Sequence, residues 1–185
     1  MKIEENISLR EFTTFKIGGS ARYFTRLTAS EEVPELINFA KEKNLPIFIL
    51  GGGSNIIVSD DGINFLVIKN EIKGKEIINE TEKEVLISVG AGENWDEFVE
   101  FTVSRNFAGV EALSAIPGTV GGAPIQNIGA YGSEVSDVID SVHVYDTEKK
   151  SFDELTKGEC EFSYRDSVFK KNPSKFFGSQ SDFFF

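Results

Sequence analysis

Residues 21–55 decide the fold class, and in succession they read ARYFTRL, TASEEVPELINFAKEKN and LPIFILGGGSN. The first segment alternates and is rich in aromatic residues, which is typical of a strand. The second predicts a helix, because apolar residues recur on one helical face at Val33, Leu36, Ile37 and Ala40. We expect Ser30 to cap this helix. The third segment begins as an apolar strand over 46–50, and a helical crossover of this length favours parallel strands.

Further elements follow along the chain. Residues 64–68, 85–89 and 141–145 predict strands, and 94–106 predicts a helix. The buried face of that helix is expected to comprise Trp95, Phe98, Val99 and Val103. Strands and helices alternate without a strict βαβα order, which predicts an α+β fold of two lobes that meet near residue 70.

Composition restricts the function classes. The 185 residues contain 19 Lys and Arg against 30 Asp and Glu, a net charge of −11, which argues against nucleic-acid binding. A single cysteine, Cys160, and a single histidine, His143, exclude an internal disulfide and any cysteine-rich or multi-histidine metal site, so no metal is predicted. No segment has the length or composition of a signal peptide or membrane span, which favours the cytoplasm without membrane insertion.

The first candidate site is a triple-glycine loop, Gly51 to Asn55, directly after the strand at 46–50. Glycines let backbone N–H groups approach a ligand closely, and consecutive amides form a concave nest suited to a pyrophosphate. The alternative is a tight turn without a ligand. The loop matches neither a Walker motif nor Gly-x-Gly-x-x-Gly, because no Gly-Lys-Ser/Thr follows and position 56 is Ile56.

The second candidate is a long loop over residues 115–132, which reads AIPGTVGGAPIQNIGAYG. It holds few charges, many glycines and two prolines that stiffen it. Thr119, Gln126 and Asn127 supply neutral donors and acceptors that could orient a heteroaromatic ring. The alternative is a buried structural loop.

The third candidate is Arg165, within the segment EFSYRDSVFK at 161–170. Its apolar and aromatic neighbours favour a partly desolvated guanidinium that could hold a carboxylate bidentately. A structural arrangement of Arg165 with Asp166 at the surface is the alternative, and local chemistry alone favours it. Cys160 and His143 are interpreted as an inert thiol and a solvent-facing strand residue.

In this order the motifs resemble one family, the UDP-N-acetylenolpyruvoylglucosamine reductases, flavoenzymes of bacterial cell-wall precursor synthesis. The resemblance rests on FTTFKIGG at 12–19, LGGGSN at 50–55, IPGTVGGAPIQNIGAYG at 116–132 and YRDS at 164–167. It extends from about residue 6 to residue 173.

The resemblance implies the two-lobed FAD-binding fold of the vanillyl-alcohol-oxidase (PCMH) type. Lobe 1 would comprise residues 1–70 and lobe 2 residues 71–173, the two clasping a non-covalent FAD. The residues implied to bind FAD are Gly51, Gly52, Gly53, Ser54, Asn55, Ile116, Pro117, Gly118, Thr119, Gly121, Gly122 and Ala123.

The implied reaction passes a hydride from NADPH to FAD and on to UDP-N-acetylglucosamine enolpyruvate, which gives UDP-N-acetylmuramate. Arg165 matches the family arginine that polarises the substrate carboxylate, and Tyr131 and Tyr164 are candidate substrate contacts. The alternatives are another flavin oxidase of the same fold, whose flavin could be attached covalently through His or Cys, and a non-catalytic flavin-binding module.

The family's proton-donating Ser and its Glu belong to a C-terminal substrate domain that has no counterpart in this sequence. We therefore expect a C-terminally truncated chain that binds FAD weakly or partially and does not turn over. Residues 174–185 hold five of the 17 Phe and are interpreted as an anomalous tail caused by truncation, because their triple-Phe end has no polar partner and no period.

Overall fold

The strand, helix and strand predicted from residues 21–50 are present in the computed structural model, which describes residues 2–185. The chain divides into two units, Met1–Glu71 and Ile72–Phe185, which are called unit 1 and unit 2 below.

The described residues of unit 1, 2–71, contain four strands and one α-helix. In chain order they are β1 (Ile3–Ser8), β2 (Ser20–Leu27), α1 (Val33–Glu42), β3 (Ile47–Leu50) and β4 (Ile63–Asn70). The sheet order is β1-β2-β4-β3. Strand β4 runs parallel to both β2 and β3, as the helical crossover predicted, and β1 is antiparallel to β2.

The predicted face of α1 is confirmed, because Val33, Leu36, Ile37 and Ala40 are all buried. The predicted cap is wrong. Ser30 instead begins a 3-10 turn, and α1 starts at Val33 without a side-chain cap. Pro34 explains this start, since its fixed φ and missing N–H suit the first turn of a helix.

Unit 2 contains two helices and seven strands. These are β5 (Lys75–Glu80), β6 (Val85–Gly90), α2 (Trp95–Val103), β7 (Gly129–Ala130), β8 (Ser133–Glu134), β9 (Ile139–Asp146), β10 (Ser151–Thr156), α3 (Val168–Lys171) and β11 (Phe176–Phe184). Five of the strands form an antiparallel sheet in the order β10-β9-β11-β6-β5, and β7 pairs with β8.

Helix α2 packs on one face of this sheet, where Trp95 and Phe98 join the inward residues of the strands in one core. Asn94 caps the helix by accepting a hydrogen bond from the amide of Glu97 at 3.1 Å. One predicted member of the buried face is wrong, because Val103 is 49% exposed. Thr102 is buried in its stead, and its hydroxyl donates to the Val99 carbonyl at 2.8 Å.

Strand β11 lies between β9 and β6, and it is formed by residues that were interpreted as an anomalous tail. Burial alternates along this strand up to Ser181 and is then interrupted, since Asp182 and Phe183 are both buried. Phe177, Ser179, Ser181 and Phe183 are buried at alternate positions. Two of these buried residues are serines, so the sequence shows no alternation of large apolar residues here. The ring of Phe183 lies 4.9 Å from that of Phe98.

Within residues 2–185, no helix combines the length and the apolar character that crossing a bilayer requires.

Candidate functional site

The triple-glycine loop follows β3 in unit 1 and packs against the segment at residues 12–14. The amide of Thr14 donates to the carbonyl of Gly53 at 3.0 Å. A Cβ on Gly53 would stand 1.9 Å from the carbonyl oxygen of Phe12, and φ is +69° at this glycine. Only glycine fits here, and two of the motifs quoted above are thereby in contact.

The same loop presents backbone donors. Across residues 2–185, the amides of Gly52 and Gly53 donate no hydrogen bond, although Gly53 is buried. The ammonium of Lys69 donates to the carbonyl of Gly51, which leaves the amide side of the loop as its donor surface. Neighbouring amides without partners are the chemical requirement for an anion nest.

In unit 2, the first residues of the long loop are anchored to helix α2. The Asp96 carboxylate accepts from the amide of Ala115 at 2.6 Å and from the hydroxyl of Ser114 at 2.9 Å. These two hydrogen bonds hold the pKa of Asp96 below its ordinary value. The amide of Trp95 then donates to the carbonyl of Gly118 at 3.2 Å.

The middle of the long loop lies along the chain that leads into α2. The amide of Val120 donates to the Glu93 carbonyl, and that of Gly121 to the Ala91 carbonyl, each at 2.9 Å. A Cβ on Gly121 would stand 2.6 Å from that of Ala91, so the two backbones meet too closely for any side chain.

The predicted cofactor residues of the long loop differ in their exposure. Ala123 is buried in the unit 2 core, so its side chain is structural. The exposed ones are Pro117 and Gly122, and the half-buried ones are Ile116, Gly118, Thr119 and Gly121. In the triple-glycine loop Gly52 and Asn55 are exposed, Gly51 and Ser54 half-buried.

Arg165 stands at the tip of a tight turn, residues 163–166, which is called the arginine turn. The backbones of Ser163 and Asp166 exchange two hydrogen bonds of 3.1 Å, and Arg165 itself has φ of +54°. Its guanidinium donates to the carbonyls of Asn127, at 3.1 Å, and Gly129. The structure thus brings Arg165 to the long loop and fixes it there, which replaces the predicted alternative of a surface arrangement with Asp166.

Asn127 holds the long loop and the arginine turn together, whereas the sequence suggested only that its amide could orient a heteroaromatic ring. It is completely buried. Its side chain donates to the Glu134 carboxylate at 2.7 Å and to the Ser163 carbonyl at 3.2 Å, and it accepts from the amide of Ser136 at 3.0 Å. Its φ of +45° is one that Asn tolerates better than most residues. The one signal in the sequence was an uncharged amide within a glycine-rich loop.

Ser167 makes a second link between these segments. Its hydroxyl donates to the Ile125 carbonyl at 2.7 Å, and it also accepts from the amide of Lys170 as the cap of α3. Ser167 is completely buried, which agrees with its interpretation as part of the arginine motif.

Two tyrosines predicted to contact substrate are almost fully exposed. Tyr131 is 95% and Tyr164 81% exposed. The guanidinium carbon of Arg165 lies 5.4 Å from the centre of the Tyr164 ring, a distance at which a cation and a ring attract each other. The exposed Tyr164 ring beside this fixed cation offers a flat surface to an incoming ligand.

The two residues considered for covalent flavin attachment lie elsewhere in unit 2. Cys160 is buried, and its burial raises the pKa of the thiol to about 12. His143 lies on β9 and bonds to Asp182 at 3.0 Å, so it does not simply face solvent as predicted. An inert thiol and a paired imidazole favour a flavin held without a covalent bond.

Comparison with known proteins identifies the family. The family model described as FAD binding domain matches residues 21–149. A UDP-N-acetylenolpyruvoylglucosamine reductase from Dechloromonas aromatica is 45% identical over 173 residues, which are 92% of this chain and 49% of that protein. The chain spans about half the length of the curated relatives that it matches.

Solved structures confirm the fold. The UDP-N-acetylenolpyruvylglucosamine reductase of Thermus caldophilus matches with a TM-score of 0.81 and 25% identity, covering 99% of this chain and 62% of that one. p-Cresol methylhydroxylase matches with a TM-score of 0.61 and 15% identity, covering 91% of this chain and 36% of that one. The expected α+β fold of the PCMH type is therefore confirmed.

Proposed function

This chain belongs to the FAD-binding domain family, and we propose that it is the flavin-binding part of a UDP-N-acetylenolpyruvoylglucosamine reductase. The observation that carries the proposal is the similarity to reductases of this name along more than nine-tenths of the chain. The proposed reaction is the reduction of UDP-N-acetylglucosamine enolpyruvate to UDP-N-acetylmuramate with NADPH, in the cytoplasm.

The residues present fit FAD. In unit 1, the partnerless amides of Gly52 and Gly53 suit the pyrophosphate, because they supply donors without a side chain in the way. In unit 2, residues 116–123 carry no charge and would contact the uncharged parts of the cofactor. When bound, FAD supplies the capacity to accept a hydride and to pass it on.

The role proposed for Arg165 is to bind and polarise the enolpyruvyl carboxylate. The Asn127 and Gly129 carbonyls occupy two of the five N–H donors of its guanidinium, which leaves others for a carboxylate. Reduction of the enolpyruvyl group loads negative charge onto that carboxylate. A cation already fixed in position lowers the barrier most when it meets charge that develops.

Tyr164 and Tyr131 are proposed as substrate contacts. Since the centre of the Tyr164 ring lies 5.4 Å from the guanidinium carbon of Arg165, a ligand that binds this cation would also meet the ring. Their exposure leaves both rings accessible.

FAD binding is tested with a charge placed in the triple-glycine loop. Gly52 is exposed and has no positive φ, so Gly52→Asp is compatible with the backbone. We expect FAD affinity, measured by the flavin absorption retained after gel filtration, to fall more than tenfold through repulsion of the pyrophosphate. Gly158→Asp, at a glycine with open space around it, is the matched control. Equal affinity in the two variants would contradict the assignment of the loop.

The assignment of Arg165 is tested by substrate binding to the flavin-loaded chain. UDP-N-acetylglucosamine enolpyruvate should perturb the flavin absorption spectrum, and Arg165→Ala should weaken that response about tenfold or more. Arg105→Ala removes an exposed arginine at the end of α2 and serves as control. An Arg165→Ala chain that binds substrate as tightly as the unaltered chain would refute this role.

A further inference from the structure

A second cluster of chemically active side chains lies in unit 2, on the face of the sheet opposite α2. Three adjacent strands contribute to it, β11, β9 and β10. Register places Glu154 opposite His143, and Asp182 lies two residues beyond the strand partner of that histidine. One ligand atom from each of these three residues lies within 4.8 Å of the others.

We propose that His143, Asp182 and Glu154 form a binding site for one divalent transition-metal ion, with zinc as the best match. An imidazole and two carboxylates are ligands that zinc accepts, and three protein ligands leave a fourth position open. The three come from neighbouring strands of one sheet, so the backbone holds them together before any ion arrives.

The distances suit an ion between the ligands. The Nε2 atom of His143 lies 3.0 Å from Oδ2 of Asp182. Zinc bonds to nitrogen and to carboxylate oxygen at about 2.0 to 2.2 Å, so small rotations of these side chains admit it. Glu154 is exposed and can turn toward the same point, whereas Asp182 is buried.

Asp182 is oriented by a second layer of hydrogen bonds. The Ser88 hydroxyl donates to Oδ1 of Asp182 at 2.6 Å, and the Gln180 amide also donates to that oxygen. This leaves Oδ2 directed at His143. Partners of this kind fix a carboxylate in the orientation that a metal needs.

One further buried polar group lies on this face. The hydroxyl of Ser141, which is opposite Asp182 in the register, is buried and has no hydrogen-bond partner within residues 2–185. A buried hydroxyl without a partner is costly, and a bound water molecule would satisfy it.

Charge supports a dication as the occupant. With His143 neutral, the two carboxylates carry a charge of −2, which one divalent ion balances. Zinc binds the neutral imidazole, so any proton on His143 is released when the ion binds.

The chain's single histidine makes the experiment specific. Zinc is titrated at about pH 8, where proton competition is reduced, into the 185-residue chain without a polyhistidine tag. Proton NMR should show saturable movement of the one set of imidazole resonances at one zinc per chain. Competition with a chromophoric chelator gives the dissociation constant.

Glu154→Gln is the decisive variant, because Glu154 is exposed and the fold does not depend on it. We expect it to weaken zinc binding at least tenfold, and Ser88→Ala to weaken it about tenfold. Glu82→Gln, at an exposed carboxylate in the β5–β6 turn, should bind as the unaltered chain does. Trp95 fluorescence verifies that each variant is folded.

Three results would overturn the proposal. The first is the absence of saturable imidazole movement, and the second is unchanged affinity in Glu154→Gln, which would mean that Glu154 is not a ligand. The third is equal weakening in Glu154→Gln and Glu82→Gln, which would indicate only general attraction to an acidic chain. Because the site uses no residue assigned to FAD or substrate, none of these results bears on the proposed function.

Discussion

The triple-glycine loop and the long loop reach a defined shape by different means. The first is shaped by a missing side chain, since its backbone touches that of residues 12–14 where a Cβ on Gly53 would collide. The second also has a close approach, at Gly121, but it is held in addition by side chains from elsewhere in unit 2, namely Asp96, Arg165 and Ser167. The first should therefore fail when atoms are added, and the second also when atoms are removed.

The largest expected effect is that of adding one methyl group to the triple-glycine loop. Gly53→Ala places a Cβ 1.9 Å from a backbone oxygen at a φ of +69°, so the two segments must separate. We expect a loss of about 4 kcal/mol in the free energy of unfolding, measured by urea titration followed by circular dichroism.

Gly132→Ala is the control for Gly53→Ala. Gly132 has a φ of +89° but nothing within 4 Å of its Cβ position. The Gly132→Ala variant should therefore lose only about 1 kcal/mol in the free energy of unfolding. If both variants lose the same amount, backbone contact does not shape the triple-glycine loop.

The next effect comes from removing a side chain at the long loop. Asn127→Gly keeps the positive φ but leaves the Glu134 carboxylate and the Ser163 carbonyl without this donor. We expect a loss of about 3 kcal/mol in the free energy of unfolding. Urea titration followed by the fluorescence of Trp95, the one tryptophan of the chain, measures it.

Asn44→Gly is the matched control for Asn127→Gly. Asn44 also has a positive φ, of +52°, but it is exposed at the end of α1. Its replacement should change the free energy of unfolding by less than about 0.5 kcal/mol. A loss like that of Asn127→Gly would show that the backbone conformation, and not the hydrogen bonds, carries the effect.

Ser167→Ala should have a smaller effect. It removes the hydrogen bond to the Ile125 carbonyl and the cap of α3, for an expected loss of about 1.5 kcal/mol by Trp95 fluorescence. Ser104→Ala removes an exposed hydroxyl that donates to the Phe101 carbonyl, and it should leave the free energy of unfolding almost unchanged. The assignment fails if the two serines prove equivalent.

The smallest expected effect depends on pH and concerns the start of the long loop. Hydrogen bonds from Ala115 and Ser114 lower the pKa of Asp96 in the folded state. The associated stability is therefore present above the unfolded value of about 4, and it is lost as pH falls through the lower folded pKa. Asp96→Asn should be less stable than the unaltered chain at neutral pH, and the difference should shrink in acid.

Glu97→Gln is the control for Asp96→Asn, because Glu97 lies in the same first turn of α2. Urea titrations at several pH values measure the difference in free energy of unfolding between each variant and the unaltered chain. For Glu97→Gln this difference should be nearly independent of pH. The same pH profile in both variants would indicate that only the helix dipole acts.

Periodicity was sufficient to predict the elements whose buried faces are built from large apolar residues. Helix α1 and strand β4 are examples. It failed at β1, β5 and β10, where half or more of the side chains are exposed, and at β11, where serines occupy buried positions. Burial in those strands is set by their neighbours in the sheet, which no local pattern contains.

The sequence predicted which residues belong to the candidate site, but not which of them are hydrogen-bonded to one another. The glycines at 51–53 and Arg165 were identifiable from their residue types and from the family resemblance. The contact of Arg165 with the carbonyls of Asn127 and Gly129 joins residues 38 and 36 positions apart, which local patterns do not show. Their roles as FAD and substrate residues stay predictions.

The pairing of β11 with β6 has a consequence for the folding of unit 2. The bonded side chains of Ser88 and Asp182 are 94 positions apart, so a loop of that length closes when these strands pair. Closing it costs more entropy than forming the local hairpins β5–β6 and β9–β10. We therefore expect the hairpins to form early, with the sheet of unit 2 becoming continuous when β11 enters between them.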